Sequence, residues 1–408
     1  MADGCKPRRL MIDVTLWNFK KPSMIKIAVL GAGMIGTAIA IDLAKTFDVT
    51  SIDINENSLS RLQQTNKNIS TIKSDLANYK NYEELLKPFD FIITTVPGFI
   101  GYKTLEAVIT VKKNVVDISF SPENILDLDT LAKENNVTAI VDCGVAPGMS
   151  NLILGYYNQL MKIDSFECVV GGLPKIRIQP FEYKAPFSPI DVIEEYTRPA
   201  RFIENGHLVT RSALSDAELI DFEKAGTLES FNTDGLRSIL FTMAHIPNLK
   251  EKTLRYPGHI QLIKALIKGG FFNAEKINCK GIELSPLEFS SAILFKEWKL
   301  ESEEEEFTIM RIKISGKEKL LSGQAGEKDR TVIYNLFDEY DHQTKTSSMA
   351  RTTGYTCNAG LHLLINNLFN EKGVFPPELV GKNEHCFTYI LEYLKARNVI
   401  YQKSEADN

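Results

Sequence analysis

The stretch Lys26-Ile27-Ala28-Val29-Leu30-Gly31-Ala32-Gly33-Met34-Ile35-Gly36 decides the fold. Five residues of β-forming character run into a GxGxxG turn, and the turn runs into a segment with helical spacing, Met34–Thr46. Each glycine has a mechanical reason. The first permits a tight turn, the second lets a pyrophosphate approach the backbone, and the third lets helix and strand pack closely. A helix that starts there offers free N–H groups and a partial positive charge to phosphate. Asp53 ends the next β-rich run 22 positions after Gly31, where a carboxylate accepts from ribose hydroxyls and repels a 2′-phosphate. No Arg or Lys follows until Arg61, so the expected cofactor is NAD and not NADP.

Outward from this turn, short β-rich runs at 26–30, 49–53, 69–72, 89–95, 114–119 and 137–143 alternate with helical segments such as 82–86 and 126–135. Strand–helix alternation implies βαβ units and a parallel sheet. The expected fold class is therefore α/β, with a Rossmann-type doubly wound domain at 24–147. Gly31, Gly33, Met34, Ile35, Gly36, Asp53, Asp75, Thr95, Val96 and Pro97 are the cofactor-binding candidates, the last three because they follow the fourth strand. The rhythm changes after Pro147. A hairpin is expected in 202–211 around Asn205-Gly206, loop-rich sequence from Gly171 to Pro199, and a strand pair at 307–314 and 330–338. Residues 148–348 thus read as an α+β substrate and oligomerisation domain, consistent with a homodimer or homotetramer. The helical segments of 349–408 are expected to return to the first domain. The acidic run Glu301–Glu306 reads as a solvated turn.

Composition narrows the partners. With 47 Lys+Arg against 52 Asp+Glu, the net charge of -5 offers no electrostatic reason to bind nucleic acid or an acidic membrane. The six cysteines, at 5, 143, 168, 279, 357 and 386, form no CxxC pair, which fits a reducing cytoplasm and suggests no zinc site. Basic residues followed by an uncharged run from Ile27 to Ile41 imitate a signal peptide, but the run is the glycine turn and its helix. Residues 1–23 read as an extension outside the fold.

Several longer blocks resemble the saccharopine-dehydrogenase-like family, and within it the lysine 6-dehydrogenase pattern. They include Val115-Val116-Asp117-Ile118-Ser119-Phe120-Ser121-Pro122, Asp142-Cys143-Gly144-Val145-Ala146-Pro147-Gly148-Met149 and Gly171-Gly172-Leu173-Pro174. Further blocks are Tyr183-Lys184-Ala185-Pro186-Phe187-Ser188-Pro189, Glu195-Tyr196-Thr197-Arg198-Pro199-Ala200-Arg201, Thr253-Leu254-Arg255-Tyr256-Pro257-Gly258-His259 and Ser348-Met349-Ala350-Arg351-Thr352-Thr353-Gly354-Tyr355. The resemblance implies oxidation of an amine carbon by NAD, with the ε-amine of L-lysine or a similar amino acid lost as ammonia. The alternatives are a saccharopine- or carboxynorspermidine-type reductase joining an amine to a semialdehyde, and a catalytically silent dinucleotide-binding scaffold. Val145-Ala146-Pro147-Gly148-Met149-Ser150-Asn151 departs from the Leu-Asp-Pro-Gly pattern followed by Asp-His of saccharopine reductases, which weighs against saccharopine itself.

Such chemistry needs a base near the reacting carbon and an anchor for the carboxylate. Asp117 and Asp142, after the fifth and sixth strands, are the candidate acids, each also readable as a capping residue. Cys143 stands where the resemblance places a site cysteine. Phe120, Tyr183, Arg198, Arg201, Asp234 and Arg255 are the substrate-binding candidates, with Glu182, Arg237 and Arg351 as further possibilities. His259 reads as a satisfied turn residue.

Overall fold

The computed structural model describes residues 24–186, 189–301, 303–318 and 328–406. The extension at 1–23 and the loop between the paired strands, 319–327, lie outside the described residues. In chain order the first domain holds β1 (Lys26–Leu30), α1 (Met34–Leu43), β2 (Asp48–Asp53), α2 (Glu56–Thr65), β3 (Ser70–Lys73), α3 (Tyr82–Leu86), β4 (Phe91–Thr94), α4 (Gly98–Thr110), β5 (Asn114–Asp117), α5 (Asp129–Glu134) and β6 (Thr138–Ile140). These strands pair in parallel as β6-β5-β4-β1-β2-β3. The order reverses between β1 and β4, and a crevice opens there beyond the strand C-termini.

The second domain begins with α6 (Met149–Leu160) and β7 (Met161–Pro174), followed by α7 (Pro189–Thr197), β8 (Ala200–Glu204), β9 (His207–Arg211), β10 (Glu218–Phe222) and β11 (Gly226–Asn232). Then come α8 (Ile239–Thr242), β12 (Asn248–Arg255), α9 (His259–Lys268), β13 (Ile277–Cys279), β14 (Ile282–Leu284), α10 (Pro286–Trp298), β15 (Glu306–Glu318) and β16 (Lys328–Glu339). The chain closes with α11 (Ser348–Ile365), β17 (Gly373–Phe375), α12 (Pro377–Val380), α13 (Glu384–Lys395) and β18 (Tyr401–Ala406). The second sheet runs β10-β11-β12-β7-β15-β16-β18, with β8 paired to β12 and β9 to β8. It is antiparallel except for β12 beside β7. Asn205 and Gly206 turn the expected hairpin with φ of 51° and 78°, the left-handed pair a two-residue turn requires.

Three expectations need correction. The segment from Gly171 is not loop: β7 continues to Pro174, and α7 occupies 189–197. Gly171 and Gly172 sit within the strand because neighbours crowd it. A Cβ at Gly171 would lie 2.6 Å from the Leu254 carbonyl, and one at Gly172 would lie 2.7 Å from Pro186 Cγ. The acidic run is solvated only in part, since Glu306 is buried and accepts from the backbone N–H groups of Ser348 and Met349 at the start of α11. Burial pushes its carboxyl up to about 8.

The third correction concerns the last segment. The segment is not helical alone: it also supplies two strands. β17 adds to the parallel sheet beside β6, while β18 adds to the second sheet beside β16. α11 lies on α1, where Gly354 lets the helices approach: a Cβ there would stand 3.1 Å from Ile39 Cγ1. Buried Asp42 of α1 accepts from Asn358, Tyr393 and Arg397, so α1, α11 and α13 share one polar knot inside an apolar core.

Candidate functional site

One cleft of about 690 Å³ runs from the glycine turn to the second sheet. Its cofactor end is built from backbone. Gly31 holds φ of 115°, and a Cβ there would strike Thr95 Oγ1 at 2.5 Å. A Cβ on Gly36 would meet the Gly31 carbonyl at 2.2 Å, so this glycine seats α1 against the turn. Gly33 is different, because open space lies where its Cβ would be. That space, at a helix N-terminus with no side-chain cap and no acid in its first turn, suits a pyrophosphate. The residues present therefore fit a dinucleotide.

Asp53 lines the cleft and has local work as well. Its Oδ2 accepts from Ala32 N at 2.6 Å and its Oδ1 from Asn55 N at 2.7 Å. The carboxylate thus ties the end of β2 to the glycine turn while facing the cleft. Nearby cations are engaged elsewhere: Lys73 pairs with Glu56 at 2.7 Å, and Arg61 reaches Ser58 Oγ. Met34, Ile35, Asp75, Thr95, Val96 and Pro97 also line the cleft, so every cofactor candidate from the sequence falls on it. Thr95 Oγ1 donates to the carbonyls of Leu30 and Gly31, closing the floor of the turn.

The other end is built from side chains, and most of its charges are paired. Buried Asp142 receives Arg237 Nε at 3.0 Å on both oxygens, and Arg237 Nη1 donates to the Ser121 carbonyl. Both partners hold left-handed backbone, φ 52° at Asp142 and 46° at Arg237. Each such non-glycine residue costs on the order of 1–3 kcal/mol, which the surrounding structure must offset. The Arg237 guanidinium lies 4.6 Å from the Phe120 ring centroid, and Arg198 covers the same ring at 5.7 Å. Glu195 accepts from Arg255 at 3.1 Å and from the Thr253 hydroxyl, while Arg201 grips Asp234 through two bonds of 2.9 Å. Arg198 donates through Nη2 to Glu194 at 2.7 Å.

Strand β12 explains how this wall arises. Its residues alternate, so Glu251, Thr253 and Arg255 line the cleft while Lys252 points away to the Asp216 carbonyl and Glu218. Glu251 is the residue that sequence reasoning missed. It is 6% exposed, its Oε2 has no hydrogen-bond partner, and no ion pair engages it among the described residues. Burial, with negative Glu195 and Asp234 nearby, raises its carboxyl to about 8. The signal was weak, since Lys250-Glu251-Lys252 reads as solvated strand.

Several expected site residues lie elsewhere. Asp117 is buried behind the cleft wall, where Thr94 Oγ1 donates to it at 2.5 Å and Ser119 N at 3.1 Å, and burial raises it to about 7. Cys143, although next to Asp142, turns to the opposite side and donates to the Thr356 carbonyl against α11. Burial pushes its thiol up to about 12, the reverse of what a reactive thiolate needs. Tyr183 is buried under Arg255 and beside Trp298, and Arg201 stands behind Asp234 rather than on the cleft. Phe120, Asp142, Arg198, Asp234 and Arg255 do line it. Glu182 is held by Arg177 and Gln179 outside it, and Arg351 pairs with Asp338 and Asp341. His259 is satisfied between the Tyr196 hydroxyl and the Phe181 carbonyl, and burial lowers its pKa to about 3. It stays neutral at physiological pH.

Comparison with known proteins agrees with this architecture. Residues 27–140 match the family model of the saccharopine dehydrogenase NADP binding domain, and residues 144–400 match that of the saccharopine dehydrogenase C-terminal domain. The chain is 24% identical over 278 residues to the mitochondrial alpha-aminoadipic semialdehyde synthase of Rattus norvegicus, a match covering 64% of this chain and 30% of that protein. It therefore spans under a third of the length of that synthase. To the saccharopine dehydrogenase [NADP(+), L-glutamate-forming] of Pyricularia oryzae it is 23% identical over 361 residues, 71% of this chain and 79% of the relative. The apo saccharopine dehydrogenase (L-Glu forming) of Saccharomyces cerevisiae has the same fold, with a TM-score of 0.75 at 18% identity over 94% of this chain and 100% of that one. Two consecutive domain models, a shared fold and a cleft between a dinucleotide turn and a charged wall place the chain in the saccharopine dehydrogenase family, whose members are nicotinamide-dependent oxidoreductases acting on CH–NH or CH–NH2 donors.

Proposed function

We propose that the protein oxidises the terminal amine-bearing carbon of L-lysine, or of a closely similar amino acid, to the semialdehyde with NAD. The observation that carries this reading is the charge inventory of the cleft. Asp142, Glu195, Asp234 and Glu251 line it; the first three are each paired with an arginine, which leaves the Glu251 carboxyl to meet a cationic amine. Arg237, Arg255 and Arg201 are each committed to a carboxylate. Arg198, bonded to Glu194 through Nη2, keeps donors for one substrate carboxylate. One carboxylate and cationic nitrogen describe lysine. Saccharopine brings three carboxylates, more than the spare donors of Arg198 can meet. The NADP-linked saccharopine-type reductase remains the second reading, favoured by the names of the matching relatives.

The bound nicotinamide supplies the hydride acceptor. The chain's own residues do the rest. Arg198 orients the carboxylate, Phe120 shapes the wall between Arg198 and Arg237, and the Asp142–Arg237 pair fixes the strand ends beside the reacting carbon. Asp53, with Glu56 next to Lys73, supports NAD because a 2′-phosphate would meet the carboxylate of Asp53. Five described cysteines are free thiols, which supports a cytoplasmic setting. No described helix is long and apolar enough to cross a membrane. Exposed Leu208 and Leu219 on β9 and β10 support a homodimer or homotetramer joined through the second sheet, which light scattering tests.

Absorbance at 340 nm decides between the readings. NADH formed from lysine and NAD alone, at least tenfold faster than with NADP, is the expected result. A strict need for an amine plus a semialdehyde would establish the reductase instead. Tight cofactor binding without turnover on either substrate set would mean a silent scaffold.

A further inference from the structure

Around the cleft, four carboxylates have guanidinium partners: Asp142 with Arg237, Glu195 with Arg255, Asp234 with Arg201, and Glu194 with Arg198. Glu251 breaks the pattern. It lines the same cleft from β12, is almost wholly buried, and has an Oε2 without any hydrogen-bond partner. A buried carboxyl in that condition is costly unless something completes it. Its position is enforced from below, because a Cβ on Gly235 would fall 1.7 Å from Glu251 Oε1. The glycine leaves room for the carboxyl, and the strand places Glu251 on the cleft wall. Among the described residues, no side chain supplies the missing partner.

We propose that Glu251 is a catalytic residue that pairs with the ammonium of the incoming substrate and takes its proton, delivering the amine as free base for hydride transfer. This deepens the function proposed above and rests on it. The balance is simple. One N–H proton of the ammonium passes to the Glu251 carboxylate, restoring the nitrogen lone pair. The C–H bond then breaks, its two electrons pass as hydride to the oxidised nicotinamide, and the nitrogen lone pair forms the C=N bond. Water adds to that bond, and ammonia leaves.

The surroundings make Glu251 suitable for this exchange. Glu195 of α7, Asp234 beside Gly235, and Asp142 after β6 present negative charge to it, while Arg237 presents positive charge already shared with Asp142. Cys168 of β7 is a neighbour and is itself pushed up by burial, so it stays a thiol. The raised carboxyl of Glu251, at about 8, lies nearer an amine's proton affinity than an ordinary glutamate does. Without substrate Glu251 is neutral at pH 7; an arriving ammonium expels its proton to solvent, and the ionised carboxylate then accepts a proton from that ammonium.

The test is Glu251→Gln with Glu251→Asp beside it. With lysine and NAD at pH 8, Glu251→Gln is expected to lower kcat/KM at least 100-fold and leave NADH affinity within twofold. The acidic limb set by Glu251 should disappear and give way to a single rise at higher pH that tracks the free amine of lysine. Glu251→Asp should keep the limb and regain part of the rate. A Gln variant within threefold of the parent, or one that retains the limb, overturns the proposal. Calorimetry separates this from the broader reading. At pH 7, in buffers of different ionisation enthalpy, 1,5-diaminopentane binding to the full chain with NADH should release close to one proton. Glu251→Gln should abolish that release. If the release occurs and no amine is oxidised, the lysine reading fails while the pairing stands. Equal release in parent and variant overturns the role of Glu251.

Discussion

The two ends of the cleft are made by different means. At the proposed cofactor end the cleft is shaped by backbone: Gly31, Gly33 and Gly36 clear space, and α1 points uncapped N–H groups into it. At the proposed substrate end it is shaped by side chains, assembled from the ends of β5 and β6, from α7, from the turn after β11, and from β12. A backbone site is local and tolerates few substitutions but needs no distant partner. A side-chain site can be retuned residue by residue, provided each buried charge keeps its complement. That contrast explains how one cofactor turn serves many substrates across a family.

The contrast predicts unequal costs. Arg237→Ala should have the largest effect, because it strands buried Asp142. Breaking such a pair typically costs about 3–5 kcal/mol. Chemical denaturation should show a lower midpoint, and a loss under 1 kcal/mol would mean that the substrate end does not depend on paired charges. Next comes Arg198→Ala, expected to raise KM for lysine roughly 10–100-fold, the loss of about 1.5–3 kcal/mol from a charge-assisted bond. The KM for 1,5-diaminopentane, which has no carboxylate, should barely move. Equal effects on both amines would remove Arg198 from carboxylate binding.

Asp53→Ala should raise KM for NAD about tenfold and narrow the preference over NADP, with a stability loss of about 1 kcal/mol from the bonds to Ala32 and Asn55. Unchanged cofactor kinetics would show that Asp53 serves the turn alone. The smallest effect belongs to Cys143→Ala, expected to leave kcat within twofold, since the thiol faces α11 and not the cleft. A tenfold loss of kcat with NADH binding intact would return the cysteine to the chemistry.

This division also sets what could be read before the structure. The cofactor end is a local pattern, three glycines and an acid 22 positions on, so its residues could be read as one group, and they line one cleft. The substrate end was legible in composition more than in placement. Asp142 and Cys143 are neighbours in sequence but face opposite sides of the wall, and nothing in Asp142-Cys143-Gly144 says which side is the cleft. Asp117 ends its strand as expected, yet its carboxyl turns inward to Thr94 and Ser119. Glu251 was not singled out, because nothing local in Lys250-Glu251-Lys252 marks a buried carboxyl. Only the pairing of β12 with both β11 and β7 buries that strand. Long-range pairing likewise hid β17 and β18, three and six residues long, in a segment whose helical spacing dominated.

The late strands have a consequence for how the molecule comes into being. β17 lies beside β6 from some 235 positions further along the chain, so closing the cofactor sheet must wait for most of the polypeptide to be made. The first domain is consequently not completed by its own stretch of chain. Its last sheet position and the knot around Asp42 are filled from the far end, through Asn358, Tyr393 and Arg397. A nascent chain halted before residue 373 should therefore expose the β6 edge, leaving it available to chaperones or to unwanted pairing with another chain.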